Sequence, residues 1–555
     1  MTAAANPRIE KSVHFPLLAV LFWCLTQGRA LEAGSAVTAV LNPAETHQTI
    51  EGFGASLYYY SNWLTAHPNK QDIYGHIFGG LGLDILRLGN TYRPGTTFKP
   101  DAAEFVSRAE AILGRPVKVL ISSWSPPASL KSNGSEKNGG TLVKKDGAFD
   151  YGGFAQYWTD ALDAYAAEGI IPEYISIQNE PGFVATWESC ELLQTEMNGK
   201  AGYDRALEAV ARKLADGGYP TKLLAPEVLG IGYNLFQNYA RYFDHKLVYG
   251  YCHHLYHGGD PARPDQFLNA MRIMARDYAD KPRFQTEYSS GDADWFNTAW
   301  IIHNSLTAEE VSAYLHWSLV WESGNNSELV QLEFPWDRGR WKTGAGYVLS
   351  DRYYAFRQYS KFIDPGWRRI TASSSSDSLR ISAYISGDGD SLTAVALNLS
   401  RSPDTLRLDA GGYLVQSCSA VRTSETEKGE DLGPFDALSP VPLPGRSITT
   451  LVMSGKPSFA SGEKAAPSGF FLEGNFPNPF NSTTSIRFCL PRRADAVLRI
   501  FDISGRAVRE LRPGALAAGS HRIRFDAGGL ASGVYLVRLV TGDGMSAAGK
   551  MVLSR

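Results

Sequence analysis

The middle of the chain alternates short apolar runs with longer amphipathic stretches. Runs such as Leu223–Ala225 and Val248–Tyr251 lack alternation, as is typical of strands that are buried on both faces. Stretches such as Gly153–Glu168 and Tyr203–Gly217 show the apolar spacing of a helix. Eight runs and roughly eight helical stretches favour a closed (β/α)8 barrel, the TIM barrel, within residues 36–355. The predicted barrel strands are Ile50–Ala55, Leu83–Leu88, Val117–Ser122, Tyr174–Gln178, Leu223–Ala225, Val248–Tyr251, Arg283–Thr286 and Ser312–Trp317.

An open, doubly wound sheet is the alternative for this α/β pattern. Such a sheet carries a glycine-rich phosphate loop after its first strand. No such loop follows Ile50–Ala55, so the barrel is favoured.

The pattern changes near Tyr354. Residues 356–454 hold only short alternating runs between Gly, Ser, Asp and Pro, which predicts a β-sandwich. Residues 455–472 are rich in Ser, Gly, Lys and Pro and predict a linker. Residues 473–555 predict a small all-β, immunoglobulin-like module that lacks room for a large pocket.

The first thirty residues are typical of a secretory signal peptide. Basic residues at Arg8 and Lys11 precede an apolar run over Phe15–Leu25 and the small-residue ending Gly28-Arg29-Ala30. Because the run is shorter than the roughly 20 residues of a membrane-spanning helix, we expect an exported protein without stable membrane insertion.

Export leaves four scattered cysteines without paired spacing. A bridge between Cys190 and Cys252 is compatible with the spacing, but buried free thiols are the expectation for a chain of this size.

Composition removes several classes of function. The 555 residues are 44% hydrophobic and 20% charged, which is ordinary for a globular protein. A net charge of −3 gives no general attraction for nucleic acid. Twelve Trp and 27 Tyr suit the apolar faces of sugars as well as a core.

Two glutamates are candidate catalytic residues at the mouth of such a barrel. Glu180 follows the fourth predicted strand and Glu287 follows the seventh, at the end of the barrel where catalytic residues collect. Paired carboxylates about 5–5.5 Å apart hydrolyse glycosides with retention, one as nucleophile and one as acid/base. Asn179 beside Glu180 can hydrogen-bond the sugar 2-hydroxyl. Spacing alone leaves Glu227 as a competitor, since it also ends a strand.

Seven segments resemble glycoside hydrolase family 30, in order and spacing, over about residues 36–455. They are Gln48–Gly54, Ser123–Pro127, Lys131–Gly134, Ile177–Pro181, Trp187–Glu191, His254–Tyr256 and Thr286–Tyr288.

The resemblance implies a retaining β-glycosidase with Glu180 as acid/base and Glu287 as nucleophile. It also implies that an early strand within about 36–48 joins the sandwich, which packs against the barrel. The substrate-binding residues that it implies, together with those that line the predicted site, are Arg87, Trp124, Asn179, His254, Tyr256, Trp317 and Trp321.

Three histidines, His253, His254 and His257, suggest a metal centre, but they lie at a strand end without a third-ligand motif. We expect no metal and no cofactor, and a role for His254 in lining the site. No G-x-S-x-G motif is present, so serine esterase chemistry has no support.

The identity of the glycan depends on the segment after the eighth strand. The motif set is most similar to the xylanase branch of the family, whose glucuronoxylan-specific members carry an arginine pair there. Val320 and Trp321 occupy those positions in this chain. We therefore expect a secreted endo-β-1,4-xylanase without a strict need for glucuronate. A β-1,6-glucanase or glucosylceramidase-like activity is the alternative, and a non-catalytic glycan-binding surface protein is the alternative of another class.

The C-terminal residues from about 473 resemble a type IX secretion sorting domain. The resemblance rests on Asn475–Asn481, Phe501–Arg506, Gly533–Tyr535 and the basic ending Lys550–Arg555. It implies export through the periplasm of a Gram-negative bacterium, contact with the outer-membrane secretion machinery, and release or attachment at the cell surface.

Overall fold

The computed structural model describes residues 36–325, 327–436, 439–458, 470–476 and 478–554. The predicted signal peptide lies outside the described residues. None of the helices within them combines the length and the apolar character that a membrane span requires.

Eight parallel strands close into a barrel, and this confirms the predicted fold class. Each strand pairs with its neighbours in chain order, and the eighth pairs with the first. The barrel strands are Gly52–Ser56, Ile85–Gly89, Lys118–Ser122, Tyr174–Ser176, Lys222–Val228, Gly250–His254, Arg283–Glu287 and Ala313–His316. The fifth and sixth strands run further than predicted at their C-terminal ends, so that they include Glu227 and His254.

The barrel interior changes from apolar to polar along its axis. Ile85 and Cys252 belong to a small apolar cluster inside the barrel. Because strand side chains alternate between the two faces, Arg87 and His254, two residues further along, share the inward face. The lower interior is therefore apolar core, and the layer above it is polar and points toward the mouth.

Helices surround the barrel and hold it through a large hydrophobic core. The α-helices are Ser61–Ala66, Lys70–Tyr74, Ala102–Leu113, Tyr151–Ala167, Tyr203–Asp216, Leu235–Ala240, Leu268–Asp277, Trp295–Asn304 and Asp351–Ser360. Short 3-10 turns lie at Ala128–Leu130, Gly232–Asn234, His245–Leu247, Pro264–Phe267 and Arg338–Arg340, and π-helical turns at Gly75–Gly80 and Ser305–Glu309. The helix Asp351–Ser360 crosses the boundary predicted between residues 355 and 356. It contacts both the barrel and the sandwich because it carries buried residues toward each.

Two small sheets of the described chain lie in the loops that connect the barrel elements. They are formed by Lys144–Lys145 with Ala148–Phe149, and by Val320–Glu322, Val330–Leu332 and Tyr347–Leu349. The three-stranded sheet follows the eighth barrel strand and shapes one side of the mouth.

The β-sandwich takes its strands from both ends of the barrel segment. Val37–Thr49 pairs antiparallel with Arg368–Ser374 and parallel with Asp404–Asp409. The sandwich has a hydrophobic core of its own. Its strands are Val37–Thr49, Arg368–Ser374, Leu379–Ile385, Ser391–Asn398, Asp404–Asp409, Tyr413–Thr423, Glu430–Pro434, Val441–Leu443 and Ser447–Pro457.

The C-terminal module is all-β, with a three-stranded and a four-stranded sheet around a separate core. Its strands are Phe471–Phe476, Thr483–Leu490, Ala494–Phe501, Ala507–Leu516, Gly519–Asp526, Gly533–Thr541 and Ser546–Leu553. In the barrel segment, Cys190 and Cys252 carry buried free thiols, as expected.

Candidate active site

The two predicted catalytic carboxylates meet at the barrel mouth. Glu180 follows the fourth strand and Glu287 is the last residue of the seventh. One oxygen of each carboxylate and one ring nitrogen of His254 all lie within 4.8 Å of one another. This separation suits retaining glycosidases, with about 5–5.5 Å between the carboxyl groups, and is too short for inverting enzymes, which need about 6.5–9.5 Å.

The backbone turns sharply where it delivers Glu180. The residue has a left-handed conformation, with φ of 48°, which is uncommon for residues other than glycine. The Glu180 N–H donates to the carbonyl of Glu227 at 3.0 Å, and the Asn179 N–H donates to the carbonyl of Ser123 at 2.8 Å. These two bonds to neighbouring strands fix the turn and direct both side chains into the mouth.

Arg87 lies beneath the site and donates hydrogen bonds to several of its side chains. Its buried guanidinium donates from Nη1 to Glu287 Oε2 at 2.6 Å and from Nη2 to Asn179 Oδ1 at 2.6 Å. Its Nε donates to Glu227 Oε1 at 3.2 Å. Because Asn179 accepts through its oxygen, its amide NH2 group is left to donate to a ligand.

His254 and Tyr256 complete the contacts of the carboxylates. His254 Nδ1 lies 2.9 Å from Glu180 Oε1, and its Nε2 lies 3.8 Å from Glu287 Oε2. The Tyr256 hydroxyl donates to Glu287 Oε1 at 3.2 Å. Burial lowers the pKa of His254 to about 4, so the ring is neutral near pH 7.

The pKa of Glu180 is raised to about 7, mainly by burial; Arg87 acts to lower it and Glu227 to raise it. Burial also raises the pKa of Glu287, while the charge of Arg87 acts to lower it. The hydrogen bonds that Glu287 accepts from Arg87 and Tyr256 favour its ionised form. Both carboxyl groups therefore have raised pKa values, and Glu287 is the member that accepts hydrogen bonds from Arg87 and Tyr256.

A groove of about 940 Å³ opens above the carboxylates. It is lined by Tyr59, Tyr60, Asn62, Trp63, Trp124, Lys137, Asn179, Glu180, Phe183, Trp187, Glu188, Leu229, Tyr256, His257, Glu287, Trp317 and Trp321. Its wall is largely aromatic: the ring of Trp317 lies 5.8 Å from that of Trp124 and 6.2 Å from that of Trp321. Flat apolar rings beside a few convergent polar groups form a surface that suits a sugar chain.

The structure places the other residues that the sequence singled out in different surroundings, some in the groove and some in the core. Val320 is fully buried and contributes nothing to the groove surface, whereas Trp321 lines it. His253 is buried and paired with Glu309, and His257 lies at the groove. The three neighbouring histidines therefore face different surroundings and do not converge on one point.

Glu180, His254 and Glu287 are donor types that a divalent cation uses. However, Arg87 already places a positive charge 2.6 Å from Glu287. A cation bound to this carboxylate would be repelled by the guanidinium, so the donor set fits a metal poorly.

Sequence reasoning missed the place of Glu227, which is fully buried beneath the pair. It also passed over the groove-lining Lys137 and Glu188, whose side chains lie 3.7 Å apart. Glu227 at the end of a strand was the available signal, but its pairing with Arg87 joins residues 140 positions apart and leaves no local pattern.

Comparisons with known proteins identify the class. The model of the glycosyl hydrolase family 30 TIM-barrel domain matches residues 102–197, and that of the secretion system C-terminal sorting domain matches residues 475–554. Glucuronoxylanase XynC of Bacillus subtilis (strain 168) is 24% identical over 473 residues, which cover 81% of this chain and 99% of the relative.

Solved structures agree in fold. The catalytic domain of a family 30 xylanase C from Talaromyces cellulolyticus covers 75% of this chain and 100% of its own, with 21% identity and a TM-score of 0.61. An endo-β-1,6-glucanase covers 76% of this chain and 94% of its own, with 18% identity and a TM-score of 0.57.

The protein is a glycoside hydrolase. Its resemblance to family 30 is confirmed, and so is its resemblance to a secretion sorting domain at the C-terminus.

Proposed function

We propose that the protein is an exported, retaining endo-β-glycosidase whose substrate is β-1,4-xylan, with no strict need for glucuronate side chains. The observation that carries the proposal is the carboxylate pair within 4.8 Å. One member has a pKa of about 7 and the other is held by Arg87.

In the first step, Glu287 attacks the anomeric carbon while Glu180 gives its proton to the departing glycosidic oxygen. The covalent glycosyl–enzyme consumes the charge of Glu287, which lowers the pKa of Glu180. In the second step, ionised Glu180 takes a proton from water, the water oxygen attacks the anomeric carbon, and Glu287 leaves as a carboxylate.

The neighbouring side chains serve this chemistry in distinct ways. Arg87 orients Asn179 through its oxygen, so that the amide NH2 group is directed to the sugar 2-hydroxyl. The Tyr256 hydroxyl and Arg87 both donate to Glu287 and keep its lone pairs aligned. Neutral His254 contacts Glu180 without adding charge.

Xylan is favoured by a relative that aligns with 81% of this chain over 99% of its own length, the glucuronoxylanase of Bacillus subtilis. Independence from glucuronate is favoured by the groove itself. Its lining, within the described residues, includes no arginine, and its Lys137 lies beside Glu188. A glucuronate carboxylate would therefore find no bidentate partner there.

Product analysis tests the proposal. Unsubstituted β-1,4-xylan, glucuronoxylan and β-1,6-glucan are digested in parallel, and the anomeric configuration of the first product is followed by proton NMR. We expect β-configured products from both xylans at similar rates. A strict requirement for glucuronate, or α-configured first products, would contradict the specificity or the mechanism respectively.

A β-1,6-glucanase is the second candidate, favoured by the glucanase that shares the fold. Cleavage of β-1,6-glucan alone in the same panel would select it.

The sorting module supports export through the outer membrane, followed by release or surface attachment. Deletion of residues 470–555 should trap an active enzyme inside the cell. Activity in the medium or on the cell surface after that deletion would refute the role of the module.

A further inference from the structure

A third acid, Glu227, lies beneath the two carboxylates and outside the groove. Its side chain is fully buried. One oxygen, Oε1, accepts from Arg87 Nε at 3.2 Å and from the Ser122 hydroxyl at 3.0 Å, while Oε2 has no hydrogen-bond partner among the described residues. A buried carboxylate destabilises a fold unless its charge is compensated, so Arg87 and Glu227 are interdependent.

Glu227 reaches both halves of the catalytic pair. Through Arg87 it is joined to Glu287 and Asn179. Through its backbone carbonyl it accepts from the Glu180 N–H at 3.0 Å. Glu180 and Glu227 both have left-handed backbones, with φ of 48° and 54°, a conformation that persists only where the surroundings enforce it.

We propose that Glu227 is a positioning residue of the reaction. It fixes the guanidinium of Arg87 against Glu287 and Asn179, and its charge offsets that of Arg87 at Glu180. The inference rests on the proposed roles of Glu180 and Glu287.

The electrostatic part follows from the groups that face Glu180. From the surrounding strands and loops these are Arg87, Glu227, His254, Tyr256, His257 and Glu287. After burial, which has the largest effect, Arg87 lowers the pKa of Glu180 and Glu227 raises it. Without the charge of Glu227, Arg87 acts alone, and Glu180 loses its proton at lower pH.

Two variants separate charge from geometry. Glu227→Gln keeps the shape and removes the charge. The basic limb of kcat/KM on an aryl β-xyloside should move to lower pH by about one unit. Its kcat should fall about 10- to 100-fold through misalignment of Arg87, with little change in KM. Glu227→Asp keeps the charge but is too short to reach Arg87. Its kcat should fall while its basic limb stays in place.

Asp84→Asn is the matched control. Asp84 is a buried carboxylate at the opposite end of the barrel, where it pairs with Arg115 and accepts from the Phe53 N–H. Its substitution should leave the pH profile of the reaction unchanged. Should Glu227→Gln not fold, Ser122→Ala removes one donor to Glu227 without a change of charge. A several-fold fall in kcat is then expected, and an unchanged kcat would overturn the inference.

Carbon-13 NMR of the glutamate carboxyl groups, assigned with Glu180→Gln, follows Glu180 without turnover. Glu227→Gln should lower the titration midpoint of Glu180. An unchanged midpoint overturns the inference even if wild-type hydrolysis is normal. A wild-type enzyme that cleaves no glycoside refutes the proposed function but leaves this titration as an independent test.

Discussion

Each end of the barrel holds a buried or half-buried carboxylate beside a cationic side chain. The two carboxylates differ in how many of their oxygens accept hydrogen bonds. At the N-terminal end, Glu51 accepts from Lys118 at 2.6 Å and from the hydroxyls of Tyr174 and Tyr249, so both of its oxygens are occupied. Beneath the mouth, at the other end, Glu227 Oε2 and His254 Nε2 have no hydrogen-bond partner within the described residues.

The pKa values follow this difference. At Glu51, burial acts to raise the pKa, but the donors from Lys118 and the two tyrosines hold it below its ordinary value. At Glu180, burial prevails and raises the pKa to about 7. The N-terminal end thus stabilises the fold, while the polar layer beneath the mouth keeps buried groups without hydrogen-bond partners, at a cost in stability.

Removal of Glu287, the proposed nucleophile, should have the largest effect. Glu287→Ala is expected to lower kcat by about four orders of magnitude or more, because no covalent intermediate forms. Initial rates on xylan and on an aryl β-xyloside measure the loss, and binding of xylan should persist. An activity near that of the wild type would remove Glu287 from the chemistry.

Removal of Glu180, the proposed acid/base, should have the next largest effect. Glu180→Ala is expected to lower kcat about 10²- to 10⁴-fold on xylan, and added azide should restore turnover of an activated aryl glycoside. A lack of rescue would count against the acid/base role.

The same carboxyl sets the pH dependence of the wild type. With a pKa of about 7, Glu180 is protonated below that pH, so kcat/KM should decline above about pH 7. Because its pKa is raised on folding from 4.5, its contribution to stability is present below about pH 4.5 and lost as pH rises through 7. Glu180→Gln should therefore gain stability relative to the wild type over that window, by roughly 3 kcal/mol. Parallel pH-rate and denaturation curves check both signs.

A substitution at the rim of the groove should lower activity less. Trp187 lines the groove and is 49% exposed, so Trp187→Ala is expected to lower kcat/KM about tenfold on xylan and hardly at all on a small aryl xyloside. The exposed Tyr242, outside the groove lining, supplies the control Tyr242→Ala. Equal losses on both substrates would place Trp187 outside the chain-binding surface.

A substitution at the N-terminal end of the barrel should affect activity least. Glu51→Gln is expected to lower the free energy of unfolding by about 1–3 kcal/mol at pH 7 without a change in kcat. Since the pKa of Glu51 is lowered on folding, this loss should shrink as pH falls below about 4.5. A fall in kcat comparable to that of Glu180→Ala would show that the two ends are not independent.

The sequence could predict the elements, because burial on both faces leaves a local record. Runs without alternation marked the barrel strands, and the tips of the fourth and seventh carried Glu180 and Glu287. It could not predict that the strand Val37–Thr49 pairs with Arg368–Ser374 except by resemblance, since that pairing joins distant segments.

By itself, then, the sequence determined the barrel, the sandwich, the terminal module and the residues offered at the strand ends. Only the tertiary structure decided that Glu227 lies beneath the pair while Glu180 faces the groove, and that Val320 is buried while Trp321 is not. The physical reason is that burial and the field of neighbouring charges come from groups far apart in the chain. These same groups give one glutamate a pKa near 7 and tie another to Arg87.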